Sequence, residues 1–186
     1  GTGKSSFAAK HFLPTEVISS DRMRGWVADD ETDQAATSDA FDVLHYLVEK
    51  RLKGRRFTVI DATNVQPEAR KGLIALARKW HALAVAIVFD LPEDIAVGRN
   101  AQRPDRQFGA GPVRRQMQSL RRSIGGMNRE GLRYVHRLRS VEEIDAVEIT
   151  RTRLWNDRRE LTGPFDIIGD VHGCGDELEL LLSQLG

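Results

Sequence analysis

An α/β fold built on a mostly parallel sheet, with helices on both faces, is what this sequence predicts, and three observations predict it. Short apolar runs alternate with longer stretches of helical apolar spacing along most of the 186 residues. One run, Ala84-Val85-Ala86-Ile87-Val88-Phe89, is continuously apolar, the pattern of a parallel strand covered on both sides. The chain also opens on Gly1-Thr2-Gly3-Lys4-Ser5-Ser6, a glycine turn running directly into a helix-compatible segment.

Taken in order, residues 5–12 form the first expected helix, and Pro14-Thr15 break it. Residues 16–20 are a short β-type run ending at Asp21. Between residues 39 and 53, Phe41, Val43, Leu44, Leu47, Val48 and Leu52 recur at helical spacing, and Gly54 closes the segment. Residues 57–60 read as a buried strand that delivers Asp61-Ala62-Thr63-Asn64 to its tip. Pro67 then suits the first position of a helix whose inner face carries Leu73, Ile74, Leu76, Ala77 and Trp80, with Thr63 and Asn64 placed either to support an acceptor or to cap the helix, the cap being favoured for Asn64. After the 84–89 strand, Pro92-Glu93 start a helix through Arg99, and residues 113–124 supply another. Residues 135–138 and 147–150 read as weaker strands.

Composition is that of a globular protein able to bury a core without staples. The single cysteine, Cys174, excludes an internal disulfide and fits a reducing, cytoplasmic setting. No apolar stretch is long enough to span a bilayer, so no membrane partner is expected. The net charge of +1 conceals strong segregation. Arginine supplies 22 of the 28 basic residues. Over residues 99–139 there are eleven arginines and no lysine, opposed only by Asp105 and Glu130. Residues 29–42 are conversely rich in aspartate. A one-sided arginine tract suits a phosphate-bearing partner, because the guanidinium fork matches phosphate oxygens. Arg114, Arg115, Arg121 and Arg122 are expected on a solvated helix face.

The opening string matches the end of G-x-x-x-x-G-K-[ST]. In that pattern glycines let backbone N–H groups curl around phosphates, the lysine reaches the β/γ oxygens and the hydroxyl ligates Mg²⁺. Gly1, Thr2, Gly3, Lys4, Ser5 and Ser6 are therefore the candidate nucleotide cradle. The strand feeding the loop would precede residue 1 as a central, doubly buried one. Without it the 186-residue chain is expected to be unstable or aggregated, with little activity. In parallel sheets function gathers at strand carboxyl ends, which selects Asp21, residues 61–64 and the turn after Asp90. Asp21 is placed to accept a proton from an attacking hydroxyl, and Arg24 to grip the acceptor. Asp61 suits the role of a carboxylate fixing the Mg²⁺ shell or the loop serine. Arg99 and Arg103 lie one helical turn apart, with Arg106 beyond, as a lid that neutralises charge on a transferred phosphoryl group. His11, His45, His81 and His136 lack ligand spacing. Trp26, Trp80 and Trp155 read as packing residues more than as base-stacking ones, although Trp26 beside Arg24 could touch a nucleotide.

Farther along, residues 151–164 look like a linker, and Phe165-Asp166-Ile167-Ile168-Gly169-Asp170-Val171-His172-Gly173 reads as a strand ending in a tight turn. Asp170 and His172 on alternate residues there could share one divalent metal, although such a site needs further ligands.

The succession G-T-G-K-S-S, V-I-S-S-D-R-M-R-G, D-A-T-N, R-N-A-Q-R and F-D-I-I-G-D-V-H-G-C resembles bacterial polynucleotide kinase–phosphatases of the RNA-repair type. The resemblance covers essentially the whole chain. It implies a P-loop kinase domain with an Arg-rich helical lid over residues 1–150, then the first strand and helix of a metallophosphoesterase domain over 165–186. It implies ATP and Mg²⁺ for the kinase, and Mn²⁺ or another divalent metal for the phosphatase part. RNA or DNA 5′-hydroxyl ends would be the acceptor, with an RNA-repair methyltransferase and a downstream ligase-like module as partners. By position, Lys4 and Ser5 resemble the loop lysine and the Mg²⁺-binding hydroxyl, Asp21 the general base and Arg24 the acceptor-orienting arginine. Arg99 and Arg103 resemble the lid pair, and Asp170 and His172 the first phosphatase ligands. Two rivals stand beside this reading: a P-loop kinase of small molecules, and a non-catalytic RNA-binding module with a degenerate nucleotide site. The arginine tract and the phosphoesterase junction speak against the first. Lys4, Ser5 and Asp21 together speak against the second.

Overall fold

The structure, a computed structural model, describes residues 2–102, 109–154 and 157–185. It divides into a unit comprising Gly1–Ile149 and a second comprising Thr150–Gly186.

In the first unit, helices and parallel strands alternate. Helix α1 (Lys4–His11) leads to strand β1 (Val17–Ser19), helix α2 (Ser20–Ala28) and helix α3 (Thr37–Lys53). Strand β2 (Val59–Asp61), helix α4 (Pro67–Lys79) and strand β3 (Val85–Phe89) follow. Helices α5 (Glu93–Ala101) and α6 (Ala110–Ser123), the 3₁₀ turn η1 (Ile124–Arg129), strand β4 (Tyr134–Leu138) and the short helix α7 (Val141–Asp145) complete it.

Strand β1 pairs with β2 and β3 with β4, both parallel, so the expected strand direction is present throughout. The strands form two separate pairs, not one sheet: among the described residues no ladder joins β2 to β3. Covering helices bury their inner faces in three clusters. Ala40, Leu44 and Val48, each four residues on, form one stripe of α3, which meets Ile18, Met23 and Leu73. Phe7 from α1 joins Phe89, Leu91 and Ile144 in a second cluster. Ala96, Val113 and Met117 pack α5 against α6 in a third. Pro67 opens α4 at its first turn, where its missing N–H removes no helical bond.

Several expected elements differ. Asp21 is not at a strand tip: Ser19 caps a helix, its hydroxyl accepting the Arg22 N–H, and Asp21 is the second residue of that helix. Residues 147–150 form no strand; Val147 and Ile149 instead rest on the Phe7 cluster. Gln66, not Asn64, is the cap residue of α4, and it makes no side-chain cap bond. Trp26 is not packed: it is 65% exposed, with the Arg22 guanidinium 5.9 Å from its ring centre. Trp155 lies outside the described residues.

The second unit contains one helix, α8 (Gly175–Leu185), and no buried residue among those described. Residues 165–168, expected as a strand, form none. A short segment such as Phe165-Asp166-Ile167-Ile168 cannot satisfy its own backbone groups, and among the described residues no strand pairs with it.

Candidate active site

The glycine turn and helix α1 shape the start of the site. Gly3 has φ +89°, a left-handed conformation that L side chains avoid, and its carbonyl accepts the Phe7 N–H at 2.9 Å to begin the helix. A Cβ on Gly3 would sit 3.3 Å from the Arg99 guanidinium, so glycine also permits the approach of α5. Arg99 Nη1 lies 3.5 Å from the Thr2 carbonyl. A cation 97 residues away in sequence is thus brought to the loop. Lys4 makes no hydrogen bond or ion pair among the described residues, and Ser6 is exposed.

Strand register supplies the acidic side. Ser19 of β1 lies opposite Asp61 of β2, so the residues following both strands emerge at one end. There the Ser5 hydroxyl donates to Asp61 Oδ2 at 2.5 Å, across 56 residues of sequence. A hydroxyl and a carboxylate in contact form an oxygen donor set of the kind Mg²⁺ takes, and the adjacent Lys4 has no ion-pair partner among the described residues. The residues present therefore fit a Mg²⁺-bound nucleoside polyphosphate.

Asp21 and Arg24 meet each other. Their side chains form an ion pair, and Arg24, 6% exposed, also donates through Nε to the Glu31 carbonyl at 2.8 Å. Arg24 is thereby fixed within the fold, holding the Asp21 carboxylate from the helix side. Asp90, at the third sequence-selected strand end, accepts from Arg137 Nε at 2.6 Å and so braces β3 against β4.

Beyond Arg99, the helical pair α5–α6 forms the arginine-rich part. Arg114 donates to Glu93 at 2.7 Å, and Arg114, Arg115, Arg121 and Arg122 all face solvent, as the sequence suggested. Arg114, Arg115 and Arg121 line a shallow cavity of about 260 Å³ with Glu93, Met117 and Gln118. Gly1, Arg103 and Arg106 lie outside the described residues.

Asp170 and His172, in the second unit, hydrogen-bond to each other through the His172 Nδ1, and both are exposed. Among the described residues no third His, Cys, Asp or Glu joins them. The pair supplies two ligands, short of the three protein ligands of a catalytic zinc site. Sequence reasoning also missed Arg70, Ser123 and Glu130, which hold the loop after Asp61 from behind. The one available signal was Glu130, an isolated acid in an arginine tract.

No described helix is long and apolar enough to cross a membrane. A family model described as an AAA domain matches residues 1–125. No curated protein matches the chain.

Proposed function

The chain belongs to the AAA domain family, as a P-loop, kinase-like nucleotide-binding domain for which ATP and Mg²⁺ are implied, and we propose that it is an ATP-dependent 5′-hydroxyl polynucleotide kinase. The observation that carries the reading is the convergence of Ser5, Asp61 and Arg99 on the turn that bears Lys4. The order of motifs through the arginine tract supports a polynucleotide acceptor.

In this reading the backbone of residues 1–6 and the Lys4 ammonium bind the donor phosphates. Ser5 and Asp61 would hold Mg²⁺, which would supply charge neutralisation on the donor phosphates. Arg24 orients the Asp21 carboxylate, which takes the proton from the acceptor 5′-hydroxyl as that oxygen bonds to the γ-phosphorus and the β–γ bridging bond breaks. Arg99 lies over the loop to offset charge on the departing oxygens, and Arg103 is assigned the same task. Solvent-facing arginines of α6 provide a basic track for the acceptor strand. Helices α5 and α6 exclude water from the transferred group.

The test is transfer, by the intact protein, of the γ-phosphoryl group of labelled ATP to a 5′-hydroxyl oligoribonucleotide, an oligodeoxynucleotide, and free nucleosides and sugars. Label on the oligonucleotides and not on the small molecules is expected. Transfer confined to a sugar or nucleoside, or RNA binding with no transfer at all, would reject the proposal. Asp21→Ala should lower transfer by ~100-fold or more while leaving ATP affinity near the parent value. Near-normal turnover in that variant removes Asp21 from the mechanism.

A further inference from the structure

The loop that follows Asp61 is held from behind by side chains of other elements. Asp61 ends a strand of three residues, and the following loop makes few bonds of its own apart from the Asn64 N–H to the Ala62 carbonyl at 3.1 Å. Two other elements grip that loop. Arg70 of α4, only 7% exposed at its side chain, donates through Nη1 to the Asn64 carbonyl at 2.7 Å. Its Nε and Nη2 form a two-pronged pair with Glu130 at 2.7 and 2.5 Å, across 60 residues of sequence. The next carbonyl, that of Val65, accepts the Ser123 hydroxyl at 2.5 Å. Ser123 is the last residue of α6, and Glu130 lies just past η1.

Close packing keeps this junction in register. Gly131 has φ +102°, a backbone conformation that L side chains rarely adopt, so glycine suits the turn by which the chain beyond Glu130 passes Ile74 and Arg78 of α4. The far side of α6 packs through Val113 and Met117 on Ala96 of α5, the helix that brings Arg99 to the phosphate loop. A continuous set of contacts thus joins the Asp61 loop to the arginine-bearing helices.

We propose that Arg70 and Glu130, assisted by Ser123, are positioning residues that fix the Asp61 carboxylate against Ser5 for metal-bound nucleotide. Removing an ion pair from water costs about what it returns, so a buried pair is weak as a source of stability and strong as a constraint on geometry. Here the constraint falls on two consecutive carbonyls following Asp61. Groups bonded directly to a metal ligand commonly matter almost as much as the ligand, and here the grip is one step removed, on the loop that carries Asp61. The inference rests on Ser5 and Asp61 being the metal side of the nucleotide site, and it is indifferent to the acceptor.

The experiment measures binding of a fluorescent ATP analogue to the full chain with Mg²⁺ and with EDTA, using Glu130→Gln, Glu130→Asp and Ser123→Ala. In the parent, Mg²⁺ should tighten binding. Glu130→Gln should reduce that tightening about 10-fold, the range for residues behind a metal ligand, with metal-free affinity within about twofold of the parent. Glu130→Asp, which keeps the charge, should recover most of the loss. Ser123→Ala should show a smaller loss of the same kind and serves as the decisive variant if Glu130→Gln does not fold. A folded variant with the full Mg²⁺ effect overturns the proposal, as does equal weakening with and without metal. Because no acceptor is present, failure here is distinct from failure to phosphorylate oligonucleotides.

Discussion

Residues 57–60 and 165–168 are similar short, mostly apolar segments, each followed by an aspartate-containing turn, yet only the first contributes a strand. The difference is the neighbour. Val59, Ile60 and Asp61 lie opposite Val17, Ile18 and Ser19, which satisfy their backbone groups on one side, and α3 covers the face. Phe165 and Ile167 have no such partner and are 60% and 92% exposed. Helix α8 shows the converse: its hydrogen bonds close within the segment, so it forms although Leu180 and Leu182 remain 61% and 50% exposed. Apolar pattern alone therefore makes a helix locally but a strand only in company. The same contrast separates the sites. Ser5 and Asp61 are joined across a packed unit, while Asp170 and His172 are neighbours in an exposed turn.

The largest effect that tests this contrast is catalytic. Lys4→Ala should lower phosphoryl transfer by ~100- to 1,000-fold, while Asp170→Ala and His172→Ala leave it unchanged. A comparable loss in the second pair would mean that the exposed turn belongs to the kinase site. Next comes packing. Leu44, wholly buried between α3 and the β1–β2 pair, should cost roughly 2–5 kcal/mol on substitution by Ala in denaturant titration. Leu181→Ala in α8 should stay within about 0.5 kcal/mol, and a larger cost would show that the α8 leucines are buried in solution. The smallest effect is electrostatic. Hydrogen bonding from the Arg159 guanidinium holds the Asp157 carboxyl down to about 2, from an ordinary 3.8. Its folded-state value is depressed, so whatever the pair contributes is present above the ordinary value and lost as pH falls toward about 2. A carboxyl titration followed by NMR should centre near 2; a midpoint near 3.8 would break the Arg159 pairing.

Much of the first unit was legible beforehand because its signals are local. The α3 stripe needs only a four-residue recurrence, Pro67 marks a helix start by its own ring, and residues 85–89 are apolar throughout. Helix α2 was missed because Gly25 and four charged or hydroxyl residues mask its short apolar face, and the Ser19 cap reads equally well as a turn. Trp26 was misjudged for a related reason: an aromatic residue suggests burial until the helix phase turns it outward beside Arg22. Asp21 stood out by its residue type and position, but its place on a helix and its pairing with Arg24 depended on that unseen element.

By itself the sequence determined the alternation of helices and parallel strands, the glycine turn with its lysine and serine, and the charge contrast between the arginine tract and residues 29–42. These are consequences of periodicity, backbone freedom and side-chain type, all set within a few residues. Only the tertiary structure decided that Ser5 meets Asp61, that Arg99 reaches the turn, and that Arg70 and Glu130 close behind the strand end. Those contacts join residues 56 to 97 positions apart, and strand register and helix packing bring them together because the backbone groups and apolar faces have no other way to be satisfied.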